Sequence, residues 1–311
     1  MRHLTLSAVM LIAAGTLVGC GDDDASTPAT PATPATPAAD AQPAAAPAPD
    51  APSLAAVLDA QDDAAKARYG ARHPAETLEF FGIKPGMRVV EALPGGGWYS
   101  KILMSYLGSD GELIGVNYEY AIWELFGFLS EEDLEEQKTW ATDWPEEARG
   151  WGGENSAKVS GYIFGGLPAE LDGEVDAVLM IRALHNMARF EDQGQFLTTA
   201  IADSLRILKP GGTLGVVQHR ASDAMPDEAV GGGQGYLRQQ FVIDTITNGG
   251  FEFVGMSQVN ANPSDQPGAE DMVWRLPPTY FGTKEEDTEG RAALDAIGES
   301  DRMTLLFRKP E

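Results

Sequence analysis

Hydrophobic and polar positions along most of the chain follow two periods, that of buried strands and that of amphipathic helices. Short continuous apolar runs such as "VDAVLMI" predict buried strands, and apolar residues three or four positions apart predict the helices between them. Strands that alternate with helices favour a mostly parallel sheet covered on both faces. We therefore predict a doubly wound, Rossmann-like α/β domain with strands at residues 87–92, 113–117, 158–164, 175–181 and 213–218.

The last part of the chain departs from this alternation. Residues 251–256 and 303–308 predict two further strands, and no clear crossover helix lies between them. We expect these strands to pair antiparallel at an edge of the sheet, with residues 257–301 as an insertion. The prediction is a mostly parallel seven-stranded sheet with an antiparallel edge strand.

Turn and capping signals divide the helical segments. A serine cap and a terminal glycine predict one helix over residues 54–69, and Pro74 suits the first turn of the next helix. The middle of the chain is less regular. There we predict a helix over residues 121–140, a loop over residues 142–156 and, later, a turn at residues 209–212.

The first 52 residues show neither period. A short polar start, an apolar run over residues 4–18 and the ending "LVGC" are typical of an export signal over residues 1–20. The ending resembles the bacterial lipoprotein signal, in which the cysteine is lipidated, and an ordinary secretory peptide is the alternative. Cys20 is the only cysteine, so we expect no internal disulfide. The resemblance implies a lipid anchor at Cys20 and, because Gly21 and not an aspartate follows it, delivery to the outer membrane facing the periplasm.

Residues 21–52 are rich in proline, alanine and threonine and contain almost no large apolar side chain. Such a segment buries too little surface to offset the entropy of ordering it, so we predict a disordered tether. Residues 53–311 remain for the folded domain, which is enough for one α/β domain with insertions.

The charge balance narrows the possible partners. Acidic residues outnumber basic residues 47 to 22, which gives a formal net charge of −25. We therefore expect no nucleic acid as a partner and contact with a membrane only through Cys20. The four histidines and one cysteine form no cluster along the chain, so no metal site is predicted.

The segment "VVEALPGGGWYS" (residues 89–100) carries the clearest sign of a ligand site. An apolar strand ends there in an acidic residue, and three consecutive glycines follow before the next helix. Glycines at this turn let the backbone bend tightly and approach a ligand at the carboxyl end of the strands. The order does not match the G-x-G-x-x-G pattern of dinucleotide sites, and Trp98 would crowd a pyrophosphate.

The motif at this turn resembles the acidic-x-G-x-G-x-G first motif of class I S-adenosylmethionine-dependent methyltransferases. "ILKPGGTLGVV" (residues 207–217) is similar to the turn and fifth strand of that family, and "GGFEFVGMS" (residues 249–257) is similar to its sixth strand. "FFGIKPGMRVVEALPGGGWYS" and "RALHNM" look more narrowly like a bacterial family of exported predicted methyltransferases. The resemblance covers nearly all of residues 74–308.

The resemblance implies S-adenosyl-L-methionine as cofactor, with an acid for its amino group and a glycine floor beneath its methionine tail. Leu93 stands where the family has its first glycine, and an asparagine ends the second strand where the family has an acid for the ribose. Adenine recognition would fall to backbone groups and Phe164. The residues expected to bind the cofactor are Glu91, Pro94, Gly95, Gly96, Gly97, Asn117 and Glu119.

The methyl acceptor is expected beside "RALHNM", which follows the fourth strand. Methyl transfer is an in-line displacement in which positioning supplies much of the rate, and a base helps when the acceptor carries a proton. His185 is the candidate base or orienting residue, with Asn186 as a hydrogen-bonding partner and Arg182 as an anion contact. Alternatively, His185 only caps a helix or packs under the loop. His219 and Arg220 after the fifth strand are secondary candidates, with a surface turn as the alternative, as are Arg72 and His73 before Pro74, with a helix-capping role as the alternative.

Three functions remain open from the sequence. The first is a methyltransferase that acts on a small molecule or an envelope component, and the second is a module that binds another nucleoside or amino-acid-like ligand without catalysis. The third is an envelope structural or interaction protein. The predicted export counts against a methyltransferase, because S-adenosylmethionine is made in the cytosol and an exported protein would have no obvious supply of it. We expect substrate choice to depend on residues 118–156 and on the insertion at residues 257–301.

Overall fold

The computed structural model describes residues 53–311, so the predicted signal and tether lie outside the described residues. One sheet of seven strands forms the centre of the described part. The strands are β1 (Arg88–Ala92), β2 (Glu112–Asn117), β3 (Lys158–Ile163), β4 (Val175–Ile181), β5 (Leu208–His219), β6 (Glu252–Ser257) and β7 (Arg302–Arg308).

The sheet order confirms the predicted fold class. Across the sheet the strands run β3-β2-β1-β4-β5-β7-β6. Neighbours from β3 to β5 are parallel, whereas β7 runs antiparallel to both β5 and β6. The last two strands therefore pair antiparallel as predicted, with β6 as the edge strand and β7 inserted beside it.

Helices cover both faces of the sheet, as an α/β fold requires. They are α1 (Leu54–Asp59), α2 (Asp63–Lys66), α3 (Tyr69–Arg72), α4 (Pro74–Phe80), α5 (Trp98–Leu107), α6 (Tyr120–Leu125), α7 (Glu131–Arg149), α8 (Leu184–Arg189), α9 (Glu191–Gly194), α10 (Phe196–Ile207), α11 (Gln239–Asn248) and α12 (Thr288–Ile297).

Two apolar cores separate the helices by face. The core under α6, α8, α10 and α11 includes Val90 and Ala92 of β1, and the core under α1, α4, α5 and α7 includes Val89. Alternation along β1 then directs Glu91 to the side of α5. Within residues 53–311 no helix is both long enough and apolar enough to cross a bilayer.

The single helix predicted over residues 54–69 is wrong, because the chain breaks it into α1, α2 and α3. Ser53 caps α1 as expected, and its Oγ accepts a hydrogen bond from the Ala56 amide at 3.1 Å. Asp62 then acts as a second cap, with its carboxylate accepting from the Ala65 amide at 2.7 Å. An aspartate that bonds the backbone in this way competes with helix continuation.

The loop predicted over residues 142–156 is wrong in its first half, where α7 continues to Arg149. Trp144 and Pro145 are buried against the sheet, above Gly115 of β2 and Gly161 of β3. A Cβ at either glycine would come within 3 Å of these side chains or their backbone. The glycines make room for the helix, and this packing offsets the hydrogen bond that Pro145 cannot donate.

Two further local predictions need correction. α12 lies between β6 and β7, where no helix was expected, and none of its residues is fully buried. The segment at residues 209–212 is part of β5 rather than a free turn. The register between β4 and β5 shifts at this point, between Val175 and Ala177, which accommodates the glycines as an irregularity in the ladder.

Candidate functional site

The glycine turn joins β1 to α5 and is open above two of its three glycines. Gly95 and Gly96 are exposed, and no atom lies within 4 Å of a Cβ placed on Gly96. At Gly95 the nearest atom is the Leu93 carbonyl oxygen at 3.9 Å. Leu93 itself has a φ of 55°, a left-handed conformation that a glycine would adopt more easily. A ligand can therefore approach the backbone closely at Gly95 and Gly96.

Gly97 has a different role in the structure. A Cβ on this residue would lie 2.4 Å from the ring of Trp151, and its φ is 75°. Trp151 in turn meets Trp144 of α7 edge to face, with ring centroids 6.3 Å apart. The third glycine therefore allows the start of α5 to pack against the segment after α7, and its predicted contact with a cofactor stays a prediction.

Glu91 is buried beneath α5. Its Oε2 accepts a hydrogen bond from Ser100 Oγ at 2.6 Å. Burial raises the pKa of this carboxyl group to about 8, although the Ser100 bond and the charge of Arg182 act in the opposite direction. At neutral pH the group is therefore mostly protonated and fastened to α5. The amine-binding role predicted for Glu91 stays a prediction.

The residues that follow β2 are fixed by local hydrogen bonds. Asn117 Oδ1 accepts from the Tyr118 amide at 2.8 Å, and its Nδ2 donates to Gln137 Oε1 at 3.3 Å. Glu119 is exposed and precedes α6. It borders a cleft of about 200 Å³ that is lined by Tyr118, Glu119, Phe164, Met187, Phe196 and Thr199. That volume includes open solvent, and the space that could hold the centre of a water molecule is only about 10 Å³, so the cleft is far smaller than the roughly 300–1,000 Å³ of common small-molecule sites.

Tyr118 crosses the carboxyl end of β1. Its hydroxyl donates to the Ala183 carbonyl at 3.1 Å and lies 3.2 Å from Asn186 Nδ2, which donates to it. Tyr118 follows β2 and Ala183 follows β4, and β1 lies between those strands. The predicted site residue Asn186 thus bonds Tyr118 and not His185.

The described residues fit an S-adenosylmethionine-type cofactor at two places. The backbone at Gly95 and Gly96 is free for close approach, and the cleft beside it offers the Glu119 carboxylate and the Phe164 ring at the ends of β2 and β3. Between these places stands the Tyr118 side chain. A complete nucleoside would require this side chain or the cleft wall to shift.

A buried polar group lies at the ends of β4 and β5, where the acceptor was expected. The rings of His185 and His219 are buried, with centroids 5.8 Å apart. Gln218 Nε2 donates to the Gly235 carbonyl at 2.9 Å and lies 3.4 Å from His185 Nδ1. Because an amide nitrogen only donates, His185 Nδ1 is the acceptor and Nε2 carries the hydrogen.

Both imidazoles are neutral near pH 7. Burial lowers the pKa of His185 to about 4, and burial followed by the charge of His185 lowers the pKa of His219 well below its usual value. In this tautomer His185 presents an N–H group, which suits orienting an acceptor. Action as a base through Nε2 would require the other tautomer.

The insertion covers this polar group. Trp274 meets the His185 ring edge to face at 5.7 Å between centroids, and Val273 packs on Gly235 and Tyr236. Residues 257–301 therefore reach the ends of β4 and β5 through Trp274 and Ser300. His219 Nδ1 is 2.6 Å from Ser300 Oγ, which comes from the end of the same insertion.

Arginines lie beside this buried polar group, and we call the cluster of Arg72, Trp98, Arg182, His185 and His219 the crevice. Arg182 directly follows β4 and has a φ of 60°. Arg72 lies with its guanidinium 4.7 Å from the centroid of the Trp98 ring. Glu299 forms ion pairs with Arg68, with Arg72 at 3.4 Å and with Arg302 at 3.2 Å. The structure thus brings Arg182, Arg72, His185 and His219 together, whereas Asn117 and Glu119 lie on the other side of β1.

Sequence reasoning missed Tyr118, Gln218, Glu299 and Arg302. A signal for the last two was present, since an antiparallel final strand begins at the edge where the parallel strands end. Within residues 53–311, no group of three or more histidine, cysteine, aspartate or glutamate side chains converges as a metal site would require.

No protein-family model matches the chain, and no curated protein sequence is significantly similar to it. Solved structures resemble it in fold. The [4+2]-cyclase SpnF is 18% identical, with 77% of this chain and 80% of that chain covered and a TM-score of 0.46. A SAM-dependent methyltransferase from Aquifex aeolicus is 18% identical, with 67% and 93% covered and a TM-score of 0.41.

A third similar structure is the 1,6-didemethyltoxoflavin-N1-methyltransferase of Burkholderia thailandensis, which contains S-adenosylhomocysteine. It is 12% identical, with 83% of this chain and 85% of that chain covered and a TM-score of 0.40. These likenesses concern the arrangement of strands and helices alone.

Proposed function

We propose that residues 53–311 form an S-adenosylmethionine-dependent methyltransferase. The observation that carries this proposal is the open backbone at Gly95 and Gly96, at the carboxyl end of β1 and directly before α5. In an α/β sheet this is the position where ligands bind. The motif resemblance supplies the identity of the ligand, and the cleft beside Phe164 offers an aromatic ring for a base and the Glu119 carboxylate for hydroxyl groups.

The chain's own residues would divide the work across β1. Gly95 and Gly96 would lie beneath the methionine part of the cofactor, and Glu119 and Asn117 would face its ribose. When bound, the cofactor supplies an electrophilic methyl group. On the other side, the Nε2–H of His185 and the guanidinium of Arg182 would hold the acceptor in line, which is the main catalytic contribution for such a transfer.

The substrate and the location of the protein are inferred from the sequence. We infer a small molecule or an envelope component as the acceptor, and a lipid anchor at Cys20 that keeps the enzyme at the outer membrane on the periplasmic side. The lipoprotein-like ending of residues 1–20 and the composition of residues 21–52 support this location.

A second candidate is a ligand-binding module without catalysis. It is favoured by one observation, the Tyr118 side chain that crosses the end of β1 beside a cleft of about 200 Å³. A site of this size would take a smaller ligand than a complete nucleoside with its methionine tail.

Calorimetric titration of the protein with S-adenosylmethionine and S-adenosylhomocysteine separates the two candidates. The key variant is Gly96→Val, because this glycine has ordinary φ and open space above it, so a side chain obstructs only an incoming ligand. We expect binding in the wild type and at least roughly tenfold weaker binding in the variant, about 1.4 kcal/mol. Gly97→Val is unsuitable, since it would collide with Trp151.

The matched control is Gly255→Val on the edge strand β6, where no atom lies within 4 Å of the added Cβ. It should bind like the wild type. If neither cofactor form binds the wild-type protein, the methyltransferase proposal is wrong. Equal affinity in Gly96→Val and the wild type would place the cofactor elsewhere than the glycine turn.

A further inference from the structure

Four arginines from separate parts of the chain meet beside the ends of β4 and β5. Arg68 and Arg72 flank α3, Arg182 follows β4, and Arg302 begins β7. A single carboxylate, that of Glu299, pairs with three of them. The positive charge of this cluster therefore exceeds the negative charge that the described residues place against it.

Arg182 is the arginine that Glu299 leaves without an ion pair. Among residues 53–311 its guanidinium makes no salt bridge and no hydrogen bond, although it is only partly exposed to solvent. Its position is fixed by the backbone, where its amide donates to the Val217 carbonyl at 2.6 Å and its φ of 60° is unusual for a side chain of this size. Such strain persists where the surroundings hold it and is common at binding sites.

The charge of Arg182 also marks it as the centre of the crevice. It shifts the pKa of five neighbouring groups, which are those of Glu91, Tyr99, Arg72, His185 and His219. The nearest acid among them, Glu91, is buried and already bonded to Ser100. Glu299, whose charge also acts on Arg182, is within ion-pair distance of the other three arginines and not of Arg182. Arg182 therefore has no ion-pair partner in the described part of the chain.

Other groups in the crevice also donate without an acceptor. The indole N–H of Trp98 is buried and has no hydrogen-bond partner within residues 53–311, and its ring lies against Arg72. Arg72 uses only its Nε for an ion pair, and His185 Nε2 carries a hydrogen. A buried charge or donor without a partner is costly, so these donors indicate a missing acceptor. The amide oxygen of Gln218, which contacts His185 through its nitrogen, is also buried without a partner among residues 53–311, but it carries no charge that could pair with Arg182.

We propose that this crevice binds an oxyanion, the carboxylate or phosphate group of a small-molecule ligand, through Arg182 with Arg72 and Trp98 beside it. The planar guanidinium matches two oxygens of either group. The rest of the protein carries strong negative charge, so the attraction is local to these residues. That the bound anion belongs to the methyl acceptor rests on the proposed function. That an anion binds here does not depend on it.

The test compares thermal unfolding of the protein in chloride buffer with that in phosphate or acetate at equal ionic strength. A ligand that binds the native state raises the Tm by mass action. We expect phosphate, acetate or both to raise the wild-type Tm. In Arg182→Gln we expect at least roughly tenfold weaker anion binding, because the variant loses the charge-assisted hydrogen bonds of the guanidinium.

The same variant has a second readout that a structural arginine would not give. Without an oxyanion, Arg182→Gln should unfold at a higher temperature than the wild type, because it removes an unpaired charge. Arg189→Gln is the matched control, since this exposed arginine of α8 lies over the Phe190 ring and outside the crevice. Its Tm should respond to phosphate like that of the wild type. Because phosphate also stabilises proteins in general, only a difference between Arg182→Gln and this control reports on the site.

Several outcomes would overturn the inference. If neither anion raises the Tm of the wild type, the protein has no such anion site. If Arg182→Gln has a lower Tm and its response to the anions is unchanged, the role of Arg182 is structural. Should Arg182→Gln fail to fold, Arg182→Lys keeps the charge without the planar fork and should bind phosphate more weakly. An unchanged response in that variant also contradicts the proposal.

The source of the anion is resolved by two further comparisons. A stronger response to phosphate than to acetate assigns a phosphorylated ligand, and the reverse assigns a carboxylate. If S-adenosylhomocysteine displaces phosphate, the site holds the cofactor's own carboxylate, and the inference about the acceptor is overturned. If phosphate binds while S-adenosylhomocysteine does not, the proposed methyltransferase function fails and the anion site stands.

Discussion

The carboxyl group of Glu91 has an environment that changes its chemistry without any ligand. It is enclosed beneath α5 and bonded to Ser100, and burial raises its pKa from 4.5 to about 8. The native state therefore holds this proton more tightly than the unfolded chain does. Between these two pKa values, the free energy of unfolding must fall as the pH rises, by up to about 1.4 kcal/mol per pH unit.

Glu91→Gln should remove this dependence, because an amide keeps the hydrogen bond with Ser100 and cannot ionise. Near pH 5 we expect similar stability in the variant and the wild type. At pH 8 the variant should be more stable by roughly 3–5 kcal/mol. Urea unfolding at a series of pH values measures this difference.

The control for this pH series is Glu136→Gln, which removes one exposed carboxylate from α7. Its stability should follow that of the wild type at each pH. A constant difference between Glu91→Gln and the wild type from pH 5 to pH 8 would mean that Glu91 is ionised in the folded protein throughout.

Sequence reasoning found the residues of the site by their place after strands, and this rule has a limit. It located Arg182, His185 and His219, which the structure brings together, because each follows a parallel strand. It did not give their partners. Tyr118 resembles any buried aromatic residue in sequence, and only the strand order shows that it crosses β1.

At the scale of elements, α7 packs closely on the sheet because two strand positions beneath it are glycines. Trp144 lies on Gly115 and Pro145 lies on Gly161, and α7 starts at a capping box between Ser130 and Asp133. The strands were predictable from their apolar runs, as was their class of sheet. The extent of α7 was not, because Pro145 reads as a helix breaker in sequence and the glycines that make room for it lie on other elements.

Gly115→Ala should destabilise the protein by about 1–3 kcal/mol, because the added methyl group would lie 2.4 Å from the Trp144 ring. Urea unfolding provides the measurement. Gly255→Ala on β6, where the space is free, should change stability by less than about 1 kcal/mol.

A double variant distinguishes this collision from a general intolerance of side chains in β2. Trp144→Leu costs stability by itself, but it makes space above Gly115. The cost of Gly115→Ala should therefore be smaller in the Trp144→Leu background than in the wild type. Equal costs in both backgrounds would show that Trp144 is not the group that requires a glycine.

At the scale of the whole molecule, the dominant property is a formal net charge of −25, with one local cluster of arginines at the crevice. Repulsion among surface carboxylates opposes the compact state, and salt screens it. Sodium chloride should therefore stabilise the protein by about 1 kcal/mol, or roughly 2–4 °C in Tm for a domain of this size. Calorimetric unfolding at low and moderate salt tests this.

Chloride could also occupy the arginine cluster, so the comparison needs Arg182→Gln. If the effect arises from surface repulsion, the variant should show the same rise with salt as the wild type. The rise in Tm with salt should also be smaller at a lower pH, where carboxylates begin to protonate. A Tm that falls with added salt would contradict the expectation.

The insertion of β7 between β5 and β6 has a consequence for biosynthesis. Ribosomes release β6 before β7, yet β6 has no native strand neighbour until β7 has emerged. A nascent chain that paired β6 directly with β5 would have to separate them again. Glu299 and Arg302 also emerge after Arg68, Arg72 and Arg182, so the arginine cluster is completed only when they have left the ribosome.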